Sequence, residues 1–421
     1  MQHKVVDLYA NAVQPRRRTR LELIDALRAF ALIGILQVNV QSYLWGAGDP
    51  LGFFVETPRT ADILTWFVLD TWMVGKFMPL FALLLGFSMA LQWRSVRRAW
   101  RGLPHAIELT RQVMRRRFRV LLLLGVAHGG LLYYGDILTA YALCALVALR
   151  YMPMRPARLM RAVRNWGGAY LALIVLVLGY AIALHQHFGA DGADYLLPIE
   201  SVEAFSIYVA APYFEQLQQR MQDYRDVLSG TLLIALPFIV SLFLLGALAA
   251  RLGWLHHPER HPKVWRVALY VGLLGWLLAA VGAGLNTRTM LNAPSNPDPT
   301  GALLLSLSST TTALYLALIV RWRDAPWMRA VIRWLAPIGR MPLTNYLMQS
   351  LFMGLVLSGW GLGLGTQLRQ VELVLVAAVI TLWQVFASRA WMARFGQGPM
   401  EALWRWMTYG VRPSFGKASV A

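Results

Sequence analysis

About ten apolar runs of helix length, separated by connections that alternate between arginine-rich and arginine-poor, leave this chain one broad kind of fold. Crossing a bilayer takes roughly 20 residues, and within hydrocarbon the backbone must satisfy its own polar groups, which a helix does. Spans are expected at 22–44, 76–93, 118–134, 136–151, 166–187, 229–251, 265–286, 301–321, 342–360 and 371–393. The composition agrees: 57% of the 421 residues are hydrophobic and 14% are charged, against about 25% charged in soluble domains.

The formal net charge of +19 is distributed unevenly. Arginines crowd residues 94–119, 150–164, 251–266 and 321–340, whereas the intervening connections hold only scattered cations such as Arg59, Arg220, Arg225, Arg288 and Arg369. Under the positive-inside rule this alternation requires an even number of spans with both termini cytoplasmic. The fold class is therefore an all-α, polytopic integral membrane helix bundle of about ten transmembrane helices. It forms a single membrane domain (1–421), with an N-terminal half at 20–187, an external loop at 188–228 and a C-terminal half at 229–410. A soluble protein this basic would suggest nucleic acid, but that reading needs one basic face, so no nucleic-acid partner is expected. The single cysteine, Cys144, lies in an apolar run and reads as a buried thiol. The first run is too long and too charged for a cleaved signal and reads as a retained span.

Two spans are short: 118–134 and 136–151 would rise about 25 Å and 24 Å, turning at Gly135–Asp136. The acidic external loop contains EAFSIYVAAPYFEQLQQRMQDY, which suits the outer surface or a cap over a cavity. Residues 58–75 read as an interfacial helix, with a re-entrant segment as the alternative.

The first run, LELIDALRAFALIGILQVNVQSYLW, carries Asp25, Arg28 and Asn39. A charge at mid-span costs about 2.5–3.5 kcal/mol on insertion scales, so such residues usually face a partner or a cavity. Asp25 and Arg28 share a helical face. They read either as a structural ion pair or as an anion anchor at the cytoplasmic mouth. Asn39 lies on the same side and suits a substrate or a neighbouring helix. His128, in RVLLLLGVAHGGLLYYGD, is a natural general base; an interhelical hydrogen bond is the plainer use. Asp136, roughly 12 Å further along a continuous helix, either caps the next helix or serves the same site. Lys76 snorkels or holds an anionic group. Asn345 and Gln349 share a face and serve helix packing or a ligand. Glu401 and Arg405 read as an exposed pair worth about 0.3–0.5 kcal/mol. The cluster His256, His257 and His261 lacks a completing ligand set, so no metal is expected. GWGLGLG at 359–365 lacks the context of a phosphate loop.

IGRMPLTNYLMQS at 338–350 and GPMEALWRWMTYG at 398–410 resemble the domain-of-unknown-function 418 family, the YeiB-like bacterial inner-membrane proteins. RLELIDALRAFALIGILQVNV, GKFMPLFALLLGFSMAL and LGVAHGGLLYYGDILTAYAL look like that family's N-terminal signatures. The first-span pattern, Arg20 with Asp25, Arg28 and Asn39, is also similar to heparan-α-glucosaminide N-acetyltransferase and the wider transmembrane acyltransferases. Here Ala29 replaces the glycine usual after the arginine, and residues 45–75 contain no histidine where the acetyltransferase has its own.

The resemblance implies an acyl group moving from a cytoplasmic acyl-CoA donor to a small-molecule or lipid-linked acceptor at the outer face. Arg28 with neighbouring arginines, Arg340 among them, would hold the donor's phosphates. In place of the family's histidine, His128 is read here as base or acyl carrier, with Asp136 orienting it and Asn39 or Asn345 polarising the carbonyl. A transporter or flippase of a small or lipid-linked solute is the competing expectation. The expected setting is the bacterial inner membrane with lipids as neighbours; homo-oligomerisation is left open.

Overall fold

The computed structural model describes residues 22–47, 59–188, 201–292 and 299–410. Expectations for the two ends of the chain, including Arg20 and the side on which the termini lie, fall outside them. Among the described residues there is no β-strand, and the chain is an all-α membrane protein. Seven stretches are long and apolar enough to cross a bilayer: Glu22–Ser42, Thr60–Ala99, Pro156–Tyr180, Tyr213–Leu252, Pro262–Arg288, Leu303–Trp322 and Gln370–Phe395.

In chain order the helices are α1 (Glu22–Ser42), α2 (Thr60–Trp72), α3 (Phe77–Ala99), α4 (Ala106–Leu131), α5 (Leu138–Ala148) and α6 (Pro156–Phe188). Then come α7 (Ser201–Ala210), α8 (Tyr213–Gly230), α9 (Leu236–Leu252), α10 (Pro262–Asn292) and α11 (Pro299–Leu307). The last are α12 (Thr311–Trp322), α13 (Pro326–Arg340), α14 (Pro342–Leu357), α15 (Gln370–Phe395) and α16 (Pro399–Tyr409).

Three expected spans, 118–134, 136–151 and 342–360, do not meet that measure. They correspond to the second half of α4, to α5 with the 3-10 turn Leu149–Tyr151, and to α14. The first half of α4 carries Arg111, Arg115, Arg116 and Arg117, with Arg119 just beyond, and α14 rises only about 24 Å. Helices that face protein rather than lipid need no full-length apolar surface. Tyr141, Ala142, Cys144, Ala145 and Ala148 of α5 are all wholly buried. The lipid-facing work falls to outer helices. Leu375, Val379, Leu382 and Phe386 form one exposed stripe on α15, at the spacing of a single helical face.

Packing interleaves the two sequence halves. α1 lies against α13, and α3 lies against α9. Both contacts depend on glycine. A Cβ on Gly339 would fall 1.7 Å from the Asp25 carbonyl oxygen, and one on Gly246 would fall 1.9 Å from that of Leu83. Small residues let the backbones approach in this way.

The arginine-rich connections meet at one end. Arg251 donates to the carbonyls of Met152 and Met154, and Arg323 pairs with Glu259 at 3.2 Å. His256 stacks on Phe87, and Arg117 lies 3.6 Å over the Trp404 ring of α16. At the opposite end, residues 201–210 and 213–230 are helical. There α7 and α8 form a roof pinned by Asp223, which accepts from Tyr208 Oη (2.6 Å), the Ala47 amide (3.1 Å) and Gln219 (3.2 Å).

Residues 60–72 form α2, which packs against α10 and α15. Asp62 and Asp70 are buried there. Arg59 clamps Asp62 at 3.1 Å and reaches Glu372 of α15 at 2.8 Å. A neutralised carboxylate can be enclosed where a bare one cannot.

Candidate functional site

α4 ends just beyond His128, whose carbonyl accepts the amides of Leu132 (2.8 Å) and Tyr133 (3.1 Å). The chain then reverses through residues 132–137. The reversal returns Asp136 to the imidazole: Nδ1 of His128 lies 2.8 Å from Oδ1 of Asp136. Asp136 also accepts the backbone amides of Leu138 (3.1 Å) and Thr139 (2.8 Å), capping the first turn of α5. One carboxylate thus caps α5 and holds the imidazole at once. On the other side, Nε2 of His128 lies 2.8 Å from Oγ of Ser350, on α14. The ring of Tyr346, one turn earlier, tilts against the imidazole at 4.8 Å.

The bond directions follow for a neutral imidazole beside an accepting carboxylate. Asp136 accepts two backbone amides, and in that arrangement Nδ1 of His128 is the donor to it. Nε2 then presents its lone pair, and the Ser350 hydroxyl donates to it. The side chains of His128 and Asp136 have no exposed surface, and Ser350 is equally enclosed.

The roof closes this site. The Tyr224 hydroxyl of α8 shares a hydrogen bond with Thr139 Oγ1 at 2.8 Å. A Cβ on Gly129 would fall 2.3 Å from the Tyr224 ring, so glycine beside the histidine admits the roof. Arg220 and Tyr213 both donate to the Leu131 carbonyl, at 3.0 and 2.8 Å. From α1, Ser42 Oγ meets the Tyr133 hydroxyl at 2.8 Å.

A second cluster lies where α1 begins. Arg28 donates to Asp25 and to Ser88 Oγ, each at 2.7 Å. Arg340 approaches Glu22 and Asp25, each at 3.7 Å. Beside them a groove of about 340 Å³ is lined by Glu22, Pro326, Arg329, Ile332 and Arg333. The two arginines on it, Arg329 and Arg333, are exposed.

The remaining expected site residues lie elsewhere. Lys76 is wholly buried and donates to the Asp70 backbone carbonyl, pinning the α2–α3 turn. Asn345 spends its amide on the carbonyls of Ile338 and Met341 and on Ser388, at 3.1–3.2 Å. Gln349 reaches Gln384 at 3.0 Å. These bonds join α13, α14 and α15. Asn39 is half-buried on α1, and its backbone carbonyl accepts from Ser42.

Glu401 corrects the sequence reading. It caps α14, accepting the amides of Leu343 (2.7 Å) and Thr344 (3.2 Å) and the Thr344 hydroxyl (2.6 Å). Arg405 donates to Gln397 instead. Burial raises the Glu401 pKa above the usual carboxylate range, against the hydrogen bond from Thr344. Sequence reasoning also missed Ser350. A lone hydroxyl on an apolar helix looks like packing, and only the fold brings it to His128.

The fold and this interior centre define a class: a helical membrane protein with a hydroxyl–imidazole–carboxylate relay drawn from two distant parts of the chain. Residues 249–411 match the family model described as "Protein of unknown function (DUF418)". The chain is similar to the uncharacterized protein YxaH of Bacillus subtilis, at 28% identity over 93% of this chain and 94% of the relative. It is similar to the uncharacterized protein YeiB of Escherichia coli, at 28% identity over 94% and 98%. The C-terminal part of the chain thus carries the DUF418 match, and the chain as a whole is similar to YeiB-like proteins over nearly its full length.

Proposed function

We propose that this protein is a transmembrane acyltransferase of the bacterial cytoplasmic membrane, moving an acyl group from a cytoplasmic acyl-CoA-type donor to an acceptor at the outer face. One observation carries the reading: His128 holds Asp136 on one ring nitrogen and a hydroxyl on the other, at 2.8 Å each. An imidazole oriented by a carboxylate and aimed at a hydroxyl is the arrangement that general-base acyl transfer needs. Its low-dielectric surroundings strengthen each of these bonds.

The donor's phosphates suit the groove at the basic end. Arg28 is committed to Asp25 and Ser88, so Arg329 and Arg333 supply charge there, with Arg340 nearby. The acceptor reaches His128 only when the roof of α7 and α8 moves.

The test is a thioester assay on purified protein in proteoliposomes. Release of free CoA and acylation of an extract of membrane lipids and small hydroxyl compounds are expected. His128→Ala should lower turnover about 10²- to 10⁴-fold with helicity unchanged. Solute flux without thioester consumption would replace this reading with transport.

A further inference from the structure

Ser350 is one of the described helical hydroxyls that turn away from their own helix, and its partner is the imidazole. Ser88, Thr110 and Thr408 each donate back to the carbonyl four residues earlier, at 2.6–2.7 Å, the default for a hydroxyl on a helix. The corresponding acceptor for Ser350 is Tyr346, and that bond is not made; its hydroxyl goes to His128 at 2.8 Å. Helix α14 is itself held in register. Glu401 caps its first turn, while Asn345 and Gln349 tie it to α15. Ser350 is thus presented to the imidazole by a fixed helix, and Asp136 fixes the imidazole from the far side.

We infer that Ser350 is the nucleophile of this centre and carries the acyl group as an ester during transfer. The inference rests on the acyltransferase reading for its donor. In the first half-reaction Ser350 Oγ bonds to the thioester carbonyl carbon while its proton passes to His128 Nε2. The carbon–sulfur bond breaks, and the departing thiolate takes that proton, leaving a thiol and acyl-Ser350. In the second, the acceptor's hydroxyl oxygen attacks the ester carbonyl and yields its proton to Nε2. The bond to Oγ breaks, and Oγ recovers the proton. No electrons are gained or lost, and the serine is restored. A relay of this kind makes a weak nucleophile competent through an adjacent base and an orienting third group.

Two measurements on the full-length protein test this. The first is peptide mass spectrometry after brief exposure to acetyl-CoA or palmitoyl-CoA and acid quench. The second is labelling with a fluorophosphonate, which reacts with activated serines whatever the natural donor. The expected result is an adduct on Ser350 with either reagent. It should be absent in Ser350→Ala, slowed at least about 100-fold in His128→Ala, and restored as a thioester in Ser350→Cys. Circular dichroism on each variant confirms folding.

Undiminished acyl transfer by Ser350→Ala overturns the acyl-serine and leaves the acyltransferase reading intact. Fluorophosphonate capture at Ser350 without transfer from any CoA thioester keeps the nucleophile and removes that donor. The absence of an adduct from both reagents overturns the inference, as does labelling of Ser350 that His128→Ala leaves unchanged.

Discussion

At the scale of single residues, Asp136 is the most exposed to test, because one carboxylate holds both a histidine and a helix end. In Asp136→Asn an amide oxygen still accepts from the first turn of α5, but the amide nitrogen donates toward Nδ1 of His128. The imidazole hydrogen then moves to Nε2, and the lone pair turns away from Ser350. Turnover should fall about 10²- to 10⁴-fold while the thermal midpoint changes little; an unimpaired variant removes the orienting role. Glu401 gives a prediction about pH. Its raised pKa means that the folded state binds more protons than the unfolded one just above the ordinary glutamate range. Stability is therefore greatest below that range and declines as pH rises through the folded value. Thermal melts from about pH 4 to about pH 7 should show this decline in the wild-type protein and lose it in Glu401→Gln. Sequence made His128 and Asp136 visible because ionisable groups stand out in apolar runs. It hid Ser350 and the capping by Glu401, whose meanings lie in partners 222 and 58 residues away.

Among the secondary-structure elements, the paired approach of α3 and α9 sets the packing. A Cβ on Gly86 would fall 2.1 Å from the Phe243 carbonyl oxygen, and one on Gly246 would fall 1.9 Å from that of Leu83. Either alanine substitution forces the helices apart and should cost about 1–3 kcal/mol, read as a lower midpoint in detergent. Gly168→Ala, with open space around it, is the control and should melt as wild type. The roof yields a prediction with the opposite sign. Tyr224→Phe removes the hydrogen bond to Thr139 and should speed covalent capture of Ser350 by a bulky fluorophosphonate; a slower reaction would show that Tyr224 does not gate the site. Helix existence was legible in the sequence for nearly every span, since apolar length suffices for that. The burial of the two α2 aspartates was not, because they look solvent-seeking until Arg59 and Asn286 supply partners from outside the helix.

For the whole molecule, the alternation of charge becomes two distinct ends, and that can be read directly. Cys144 is wholly buried and should resist maleimide until the protein is denatured. It therefore leaves a quiet background for reporter cysteines at two exposed positions. In intact spheroplasts a membrane-impermeant maleimide should modify Arg225→Cys on the roof and spare Arg260→Cys at the basic end; the reverse pattern would invert the orientation. The enclosure of α5 also bears on how the protein is made. Wrapped by neighbours that include α9, a helix that follows it in the chain and is translated later, this segment has no lipid-facing side of its own to wait with. During insertion it must shelter against α4 or the insertion machinery until the ribosome delivers its remaining walls, so the step that completes biogenesis also assembles the relay.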